Sequence, residues 1–216
     1  MSYDKRFSRK EEMEVDEIVW PKKTDRAFRP DGNRGTNVCF GWLEMFNLEH
    51  MVADSFKSAA DLVVEELASR ERPARVDAFL HPVAYLYRHY LELKLKNVLN
   101  GGILLEEISV HDEVINGHSL YALWVQFRRL VMQMQMGTDP APLDNTERVI
   151  LDFHQFDKSG QAFRYPKDKK GKPMLKNLPE YVGLCEMRDV MGRVHTFLDG
   201  CEMCMDAALD NSRGHL

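Results

Sequence analysis

The sequence predicts an all-α protein, an antiparallel helical bundle with a short basic loop or β-hairpin insertion. Apolar residues recur at three- and four-residue steps in five stretches, the spacing of one face of a helix. The last of these stretches, with Leu184, Met187, Met191, Val194, Leu198, Cys201, Met205 and Ala208, keeps the alternation unbroken. Such a seam suits packing against another helix, in the same bundle or in a second subunit. No convincing series of period-two segments competes with these patterns, so a sheet is not expected.

Residues 1–40 mix charge with Pro30, Gly32 and Gly35 and lack sustained periodicity, which predicts an extended or partly disordered arm. Trp20, Phe28 and Phe40 are the residues that could pin it to the body. The bundle is expected over 41–210. Its first helix should run from about Gly41 to Arg70, with Leu43, Phe46, Met51, Phe56, Ala59, Leu62, Val63 and Leu67 on one face and Pro73 closing it. A second should span about Asp77 to Leu99, with Asn100-Gly101-Gly102 as its stop. A third covers Ser119 to Met136 and a shorter fourth Leu143 to Phe156. In "FRYPKDKKGKPML" Pro166, Gly171 and Pro173 break any helix, which leaves a basic loop or hairpin before the last helix.

A chain of 216 residues buries one sizeable core and is expected to form a single domain with a tail. Hydrophobic content of 44% and charged content of 29% are ordinary for a globular protein. No run approaches the roughly 18 apolar residues of a membrane span, and the N-terminal stretch lacks the apolar core of a signal peptide. The expected location is a reducing cytoplasm, with the four cysteines as thiols. A net charge of −5 gives no global attraction for nucleic acid, so RNA contact would rest on local cations. Arg164, Lys167, Lys169, Lys170, Lys172 and Lys176 supply such a cluster, against the single acid Asp168. A segment of this kind either tracks phosphates or is merely solvated.

The chemistry-bearing candidates lie on two helices. In "CEMRDVMGRVHTFLDGCEMCM", Arg188 and His195 are seven residues apart, which places them on one stripe, two turns or roughly 10 Å apart. Asp189 follows the arginine and Glu202 extends the stripe. Arg188, His195 and Glu202 each follow a seam residue and flank the seam, where they form either a salt-bridging edge or the lining of a groove. In "YLYRHYLELKLKNVL", Arg88, Glu92 and Lys96 stand at four-residue steps beside His89, as a stripe that snorkels to water or as a buried pair at a cleft. A metal site from Cys201 and Cys204 with Cys185 or His195 would lack a loop to shape it, so buried thiols are the expected reading. His111 and His118, with Asp112 and Glu113, have no further ligand at recognisable spacing. No glycine-rich phosphate loop and no nucleophile elbow is present, and no cofactor or metal is expected.

Taken together, "AYLYRHYLELKLKNVLNGG", "GHSLYALW" and "FRYP" resemble the HEPN superfamily of helical bundles over roughly residues 41–209. The resemblance implies the long second helix with its Glu and Lys, a His-x-Leu-x-x-Leu start to the third helix, and the Arg-Tyr-Pro of one branch. Many such proteins are metal-independent ribonucleases of toxin–antitoxin or antiviral-defence type, marked by an arginine, a polar residue and a histidine on the last helix. "RDVMGRVH" has that form, which assigns Arg188, Asp189 and His195 as the catalytic set. It also implies a homodimer whose composite site takes RNA, and an antitoxin or defence partner protein. The chemistry suits these residue types: an imidazole transfers protons near neutral pH, and a guanidinium grips phosphoryl oxygens while staying charged. The Arg-Tyr-Pro branch also includes inactive binding modules. His118 and the Arg88, His89, Glu92 and Lys96 stripe form a second candidate set.

Overall fold

The structure, a computed structural model, describes residues 20–30, 32, 35–39, 41, 49–69, 76–137 and 139–213. The chain divides into two units, Met1–Gly41 and Trp42–Leu216. In the first, Lys22 and Asp25 close a turn: the Asp25 amide donates to the Lys22 carbonyl at 3.0 Å, and the Lys22 amide donates to the Asp25 carboxylate at 2.7 Å. Trp20 and Phe28 are exposed, at 74% and 101%, rather than buried as anchors would be. Phe40 lies outside the described residues.

The second unit is all-α. Among the described residues its helices are α1 (Glu49–Ser69), α2 (Leu80–Leu104, preceded by a 3-10 turn at Val76–Phe79), α3 (Asp112–Ile115), α4 (Leu120–Gln133), α5 (Ala141–Phe156) and α6 (Leu184–Arg213). Gly41, at the expected start of the first helix, is helical, while 42–48 and the closing Pro73 lie outside the described residues. The four-residue helix α3 was not anticipated, being too short to show a period. Ser119 starts α4 as an N-cap, its hydroxyl accepting from the Ala122 amide at 3.3 Å.

Helix α2 is the axis of the unit. Val83, Ala84, Tyr87, Tyr90, Leu91, Leu95, Val98 and Leu99 are all buried, and so are Arg88, Glu92 and Lys94. Paired contacts give the directions of its neighbours. Asp54 meets Lys94 while Asp61 meets Tyr87, so α1 runs antiparallel to α2. Tyr90 meets His195 and Asn97 meets Glu202, so α6 runs parallel to it. Arg88 reaches the His118 carbonyl just ahead of α4, whereas Gly102 abuts Leu130 near its end, so α4 is also parallel to α2. Segment 105–119 must therefore carry the chain back along α2. The bundle is not uniformly antiparallel, because this return segment replaces a tight turn.

The apolar seam of α6 is used within the chain. Met191, Val194, Leu198, Cys201 and Met205 are buried in the common core with α2. The expected stop at Asn100-Gly101-Gly102 is also displaced: α2 continues through both glycines to Leu104. The left-handed residue that ends it is Glu106 (φ 58°), and the Glu107 amide closes the end on the Gly102 carbonyl at 2.9 Å. The glycines serve packing instead. A Cβ on Gly101 would collide with Met205, and one on Gly102 would lie 2.5 Å from a Leu130 methyl.

That close approach makes Gly102→Ala destabilising even though alanine favours a helix. Overpacking costs about 1–3 kcal/mol, against roughly 1 kcal/mol gained in helix propensity. Urea unfolding should show a net loss, and a gain in stability would contradict the close approach of α4.

Candidate functional site

Two ionic networks use α2, and they face different ways. The stripe of Arg88, Glu92 and Lys96 and that of Tyr90 and Lys94 are offset by two residues, or about 200° around the helix. Each network is held by neighbours that the other does not touch.

The first network faces α1 and α6. Lys94 is fully buried, and its ammonium lies 3.0 Å from Asp54, 3.3 Å from Asp199 and in contact with the Glu202 carboxylate. Burial alone would lower its pKa; Glu202 and Asp54 outweigh that and raise it, so the ammonium stays charged. Asn97 donates to the other Glu202 oxygen at 3.2 Å. His195 enters at the edge of this network. Its Nδ1 is 3.0 Å from the Tyr90 hydroxyl and 3.9 Å from Asp54, and its side chain is 33% exposed. Asp54, His195 and Asp199 offer ligand atoms within 4.8 Å of one another, as a metal site would. Lys94 already pairs with two of them, however, and supplies the cation that such a group needs.

Arg188 is not part of this network. Its Nε and Nη2 both donate to Asp189, at 3.0 and 2.8 Å, and it lies with Lys57, Asp61, Glu65 and Arg193 along a shallow surface groove. One helix carries Arg188 and His195, two turns apart, so within a single chain the two do not converge on one atom. None of the four cysteines is in a disulfide. Burial, with Cys204 nearby, pushes Cys201 up to about 12, far from the thiolate that a metal would bind.

The second network faces the loop before α4 and the segment after α5. Arg88 Nη1 donates to Glu92 at 2.9 Å, and Nη2 donates to the His118 carbonyl at 2.5 Å. Its Nε lies 3.2 Å from Asp157, within ion-pair range but misaligned for a hydrogen bond. The second Glu92 oxygen accepts from Lys96 at 3.0 Å and from His118 Nδ1 at 2.7 Å. Burial pushes the Glu92 carboxyl up, but the bonds from His118, Lys96 and Arg88 prevail and hold it at about 2. Glu92 is therefore an acceptor at neutral pH, and His118 is the donor between them. His89 stands apart from these bonds, stacked on Tyr85 and edge-on to Phe56, and burial lowers its pKa.

The basic segment is joined to this second face. Gly160 (φ +76°) packs against Arg88, with a Cβ placed there 3.1 Å from Nη1, and the Arg164 guanidinium lies 5.9 Å from the centre of the Tyr85 ring. Farther on, one antiparallel bridge joins Lys167 to Pro173, and Asp168 accepts from the Lys170 and Lys172 amides at 2.8 and 2.9 Å. No strand is formed among the described residues. Lys167, Lys169, Lys170 and Lys172 are exposed around this turn, and Lys167, Lys169 and Lys170 edge an open depression of 660 Å³.

Sequence reasoning missed Tyr90, Lys94, Asp54, Asp157 and Asp199. A lysine inside "LELKLK" gives no sign of which way it faces, and Asp157 sits beyond a helix end with nothing around it to mark it. Comparison of the chain with known families, with curated proteins and with solved structures finds no match.

The pH dependence of stability follows from Glu92. Its folded pKa lies below the ordinary 4.5, so its contribution is complete above that value and is lost as the pH falls toward 2. A shift of this size corresponds to about 3 kcal/mol. Glu92→Gln should flatten the acid limb of the stability profile over that interval, which chemical denaturation at stepped pH would register. Lys94→Met should cost about 3–5 kcal/mol near neutrality, because three carboxylates lose their shared cation. The penalty should shrink on acidification; if it instead stays constant down to pH 3, the carboxylates are not coupled to Lys94.

Proposed function

We propose that the protein is a HEPN-like helical bundle acting as a metal-independent endoribonuclease of a prokaryotic toxin or antiviral-defence type. The observation that carries this reading is the placement of His195. Tyr90 occupies Nδ1 and orients the ring, leaving Nε2 as the nitrogen for proton transfer, while Arg188 lies on the same helix with its guanidinium part-exposed. Arg188 and Asp189 form one unit, in which the carboxylate holds the guanidinium fork. Two turns of helix separate the arginine from the histidine, farther than one phosphate reaches, so the composite site draws on two copies of the chain. The substrate is then RNA, the setting cytoplasmic, and an antitoxin or defence protein the natural regulator.

Asp54 and Asp199 favour a second reading. Carboxylates beside His195 repel a phosphate, and they suit an inactive HEPN-like module that binds a nucleotide, RNA or a partner protein through another face.

On the first reading, His195→Ala abolishes cleavage of a mixed RNA pool. Arg188→Ala lowers the rate by about 10²–10³, near 3 kcal/mol of transition-state stabilisation. Wild-type cleavage persists in EDTA and leaves 2′,3′-cyclic phosphate ends, and light scattering gives a dimer mass. RNA that stays intact with the wild type while still binding it would select the second reading.

A further inference from the structure

The groove between α5 and α6 belongs neither to the two ionic networks nor to the Arg188 and His195 site. Its walls are two stripes at helical spacing: Pro142, Thr146 and Val149 on α5, and Val190, Val194 and Phe197 on α6. Val194 is buried, whereas Val149, Val190 and Phe197 are half-buried, packed on the core from one side and lining the groove on the other. The Phe197 ring stands edge-on to Phe127, with centres 6.4 Å apart, which holds the floor in place. The space is 490 Å³, within the range of about 300–1,000 Å³ that small-molecule sites occupy. Each stripe runs over about two turns, or roughly 10 Å. That is the scale of a small molecule rather than of a protein interface burying about 800 Å² a side.

The polar groups on this groove select an anion. Arg148 and Arg193 line it, one from each helix, and no carboxylate side chain among the described residues does so, although the protein carries a net charge of −5. Neither guanidinium is saturated. Arg148 donates through Nη2 to the Asn145 side-chain oxygen, and Arg193 donates through Nη2 to Glu186 at 3.3 Å, in a pair whose members are 67% and 75% exposed. So exposed an ion pair contributes little, and each arginine keeps donors to spare. Thr146 is a different kind of group. It is only 3% exposed, yet among the described residues its hydroxyl has no partner, while the Thr196 hydroxyl donates to the Gly192 carbonyl at 3.2 Å. A hydroxyl this buried ordinarily bonds within the protein. Here the partner is left to come from the groove that Thr146 lines.

We propose that the α5–α6 groove binds a small amphiphilic carboxylate, a molecule with one anionic head and a compact aliphatic or aromatic body. The body covers Val149, Val190, Val194 and Phe197. The head takes charge-assisted bonds from Arg148 and Arg193 and accepts from the Thr146 hydroxyl. A fully polar anion would leave the apolar floor uncovered, and an uncharged apolar molecule would leave the guanidinia and the hydroxyl unmatched. The inference goes beyond the ribonuclease reading and stands without it, since Arg148, Arg193 and Thr146 have no part in that chemistry.

The test uses the full chain with octanoate as the probe, and with 1-octanol and butyrate as controls that lack the head or the body. Calorimetric titration should show saturable binding of octanoate, with each control at least about tenfold weaker. The methyl resonances of Val149, Val190 and Val194 should shift in step with that isotherm. A double variant, Arg148→Gln with Arg193→Gln, should lose at least about tenfold in affinity, as expected when charged hydrogen bonds are removed. Thr146→Val keeps the shape of the side chain and should lose about three- to tenfold. Its thermal midpoint without ligand should stay level or rise, because no bond within the protein is removed. Lys57→Gln, which removes a cation from the neighbouring groove beside Arg188, should bind octanoate as the wild type does. If 1-octanol binds as tightly as octanoate, or the double arginine variant binds normally, the carboxylate assignment is overturned. Shifts confined to other methyls, or no saturable binding, remove the site. Valine methyls that ignore octanoate but move on dilution of the protein mark the groove as a contact between copies, which also overturns the proposal.

Discussion

Burying three charged side chains on one core helix is the constraint on which the rest of this structure depends. Arg88, Glu92 and Lys94 are each at most 3% exposed. An isolated charge in such a place costs several kcal/mol, so each must find partners among whatever packs around α2. Those partners come from α1, α6, the residue ahead of α4 and the segment after α5. Apolar contact alone would tolerate several registers between these elements. Charge pairing narrows the choice, because a shift by one turn would move Lys94 away from Asp54, Asp199 and Glu202 together.

The same pairing determines where chemistry could occur. Lys94 draws acids around itself, and His195 shares that acidic corner with Asp54 and Asp199. On the other side, Arg88 is buried against Glu92, the His118 carbonyl and Asp157, so only the outer members of the network, Lys96 and His118, reach solvent. The two histidines therefore differ in kind. His195 is oriented by a neutral hydroxyl within a surplus of negative charge, and His118 by a carboxylate whose charge is already matched.

Helix content was legible because it depends on local periodicity, which a sequence carries intact. The cores of α2, α4, α5 and α6 fall where apolar spacing places them. The stop at Gly101 and Gly102 was misread, since a glycine pair reads alike whether it ends a helix or admits a neighbour; the close approach of Met205 and Leu130 decides between these uses. The α6 seam was likewise visible as a seam, while its occupant, α2 of the same chain, was not. Of the candidate residues, Arg88, Glu92, Lys96 and His118 were singled out in the sequence as polar groups on an apolar helix and its neighbour. Their convergence was not visible, because 26 positions separate Glu92 from His118.

By itself, then, the sequence determined the helices, the apolar faces and the presence of a basic segment broken by proline and glycine, since each of these is encoded within a few residues of the chain. Only the tertiary structure decided which helices run parallel, which lysine is buried, and which histidine stands beside which acid. Those outcomes depend on segments remote in the chain meeting around α2, and no spacing along the sequence records the direction from which a partner arrives.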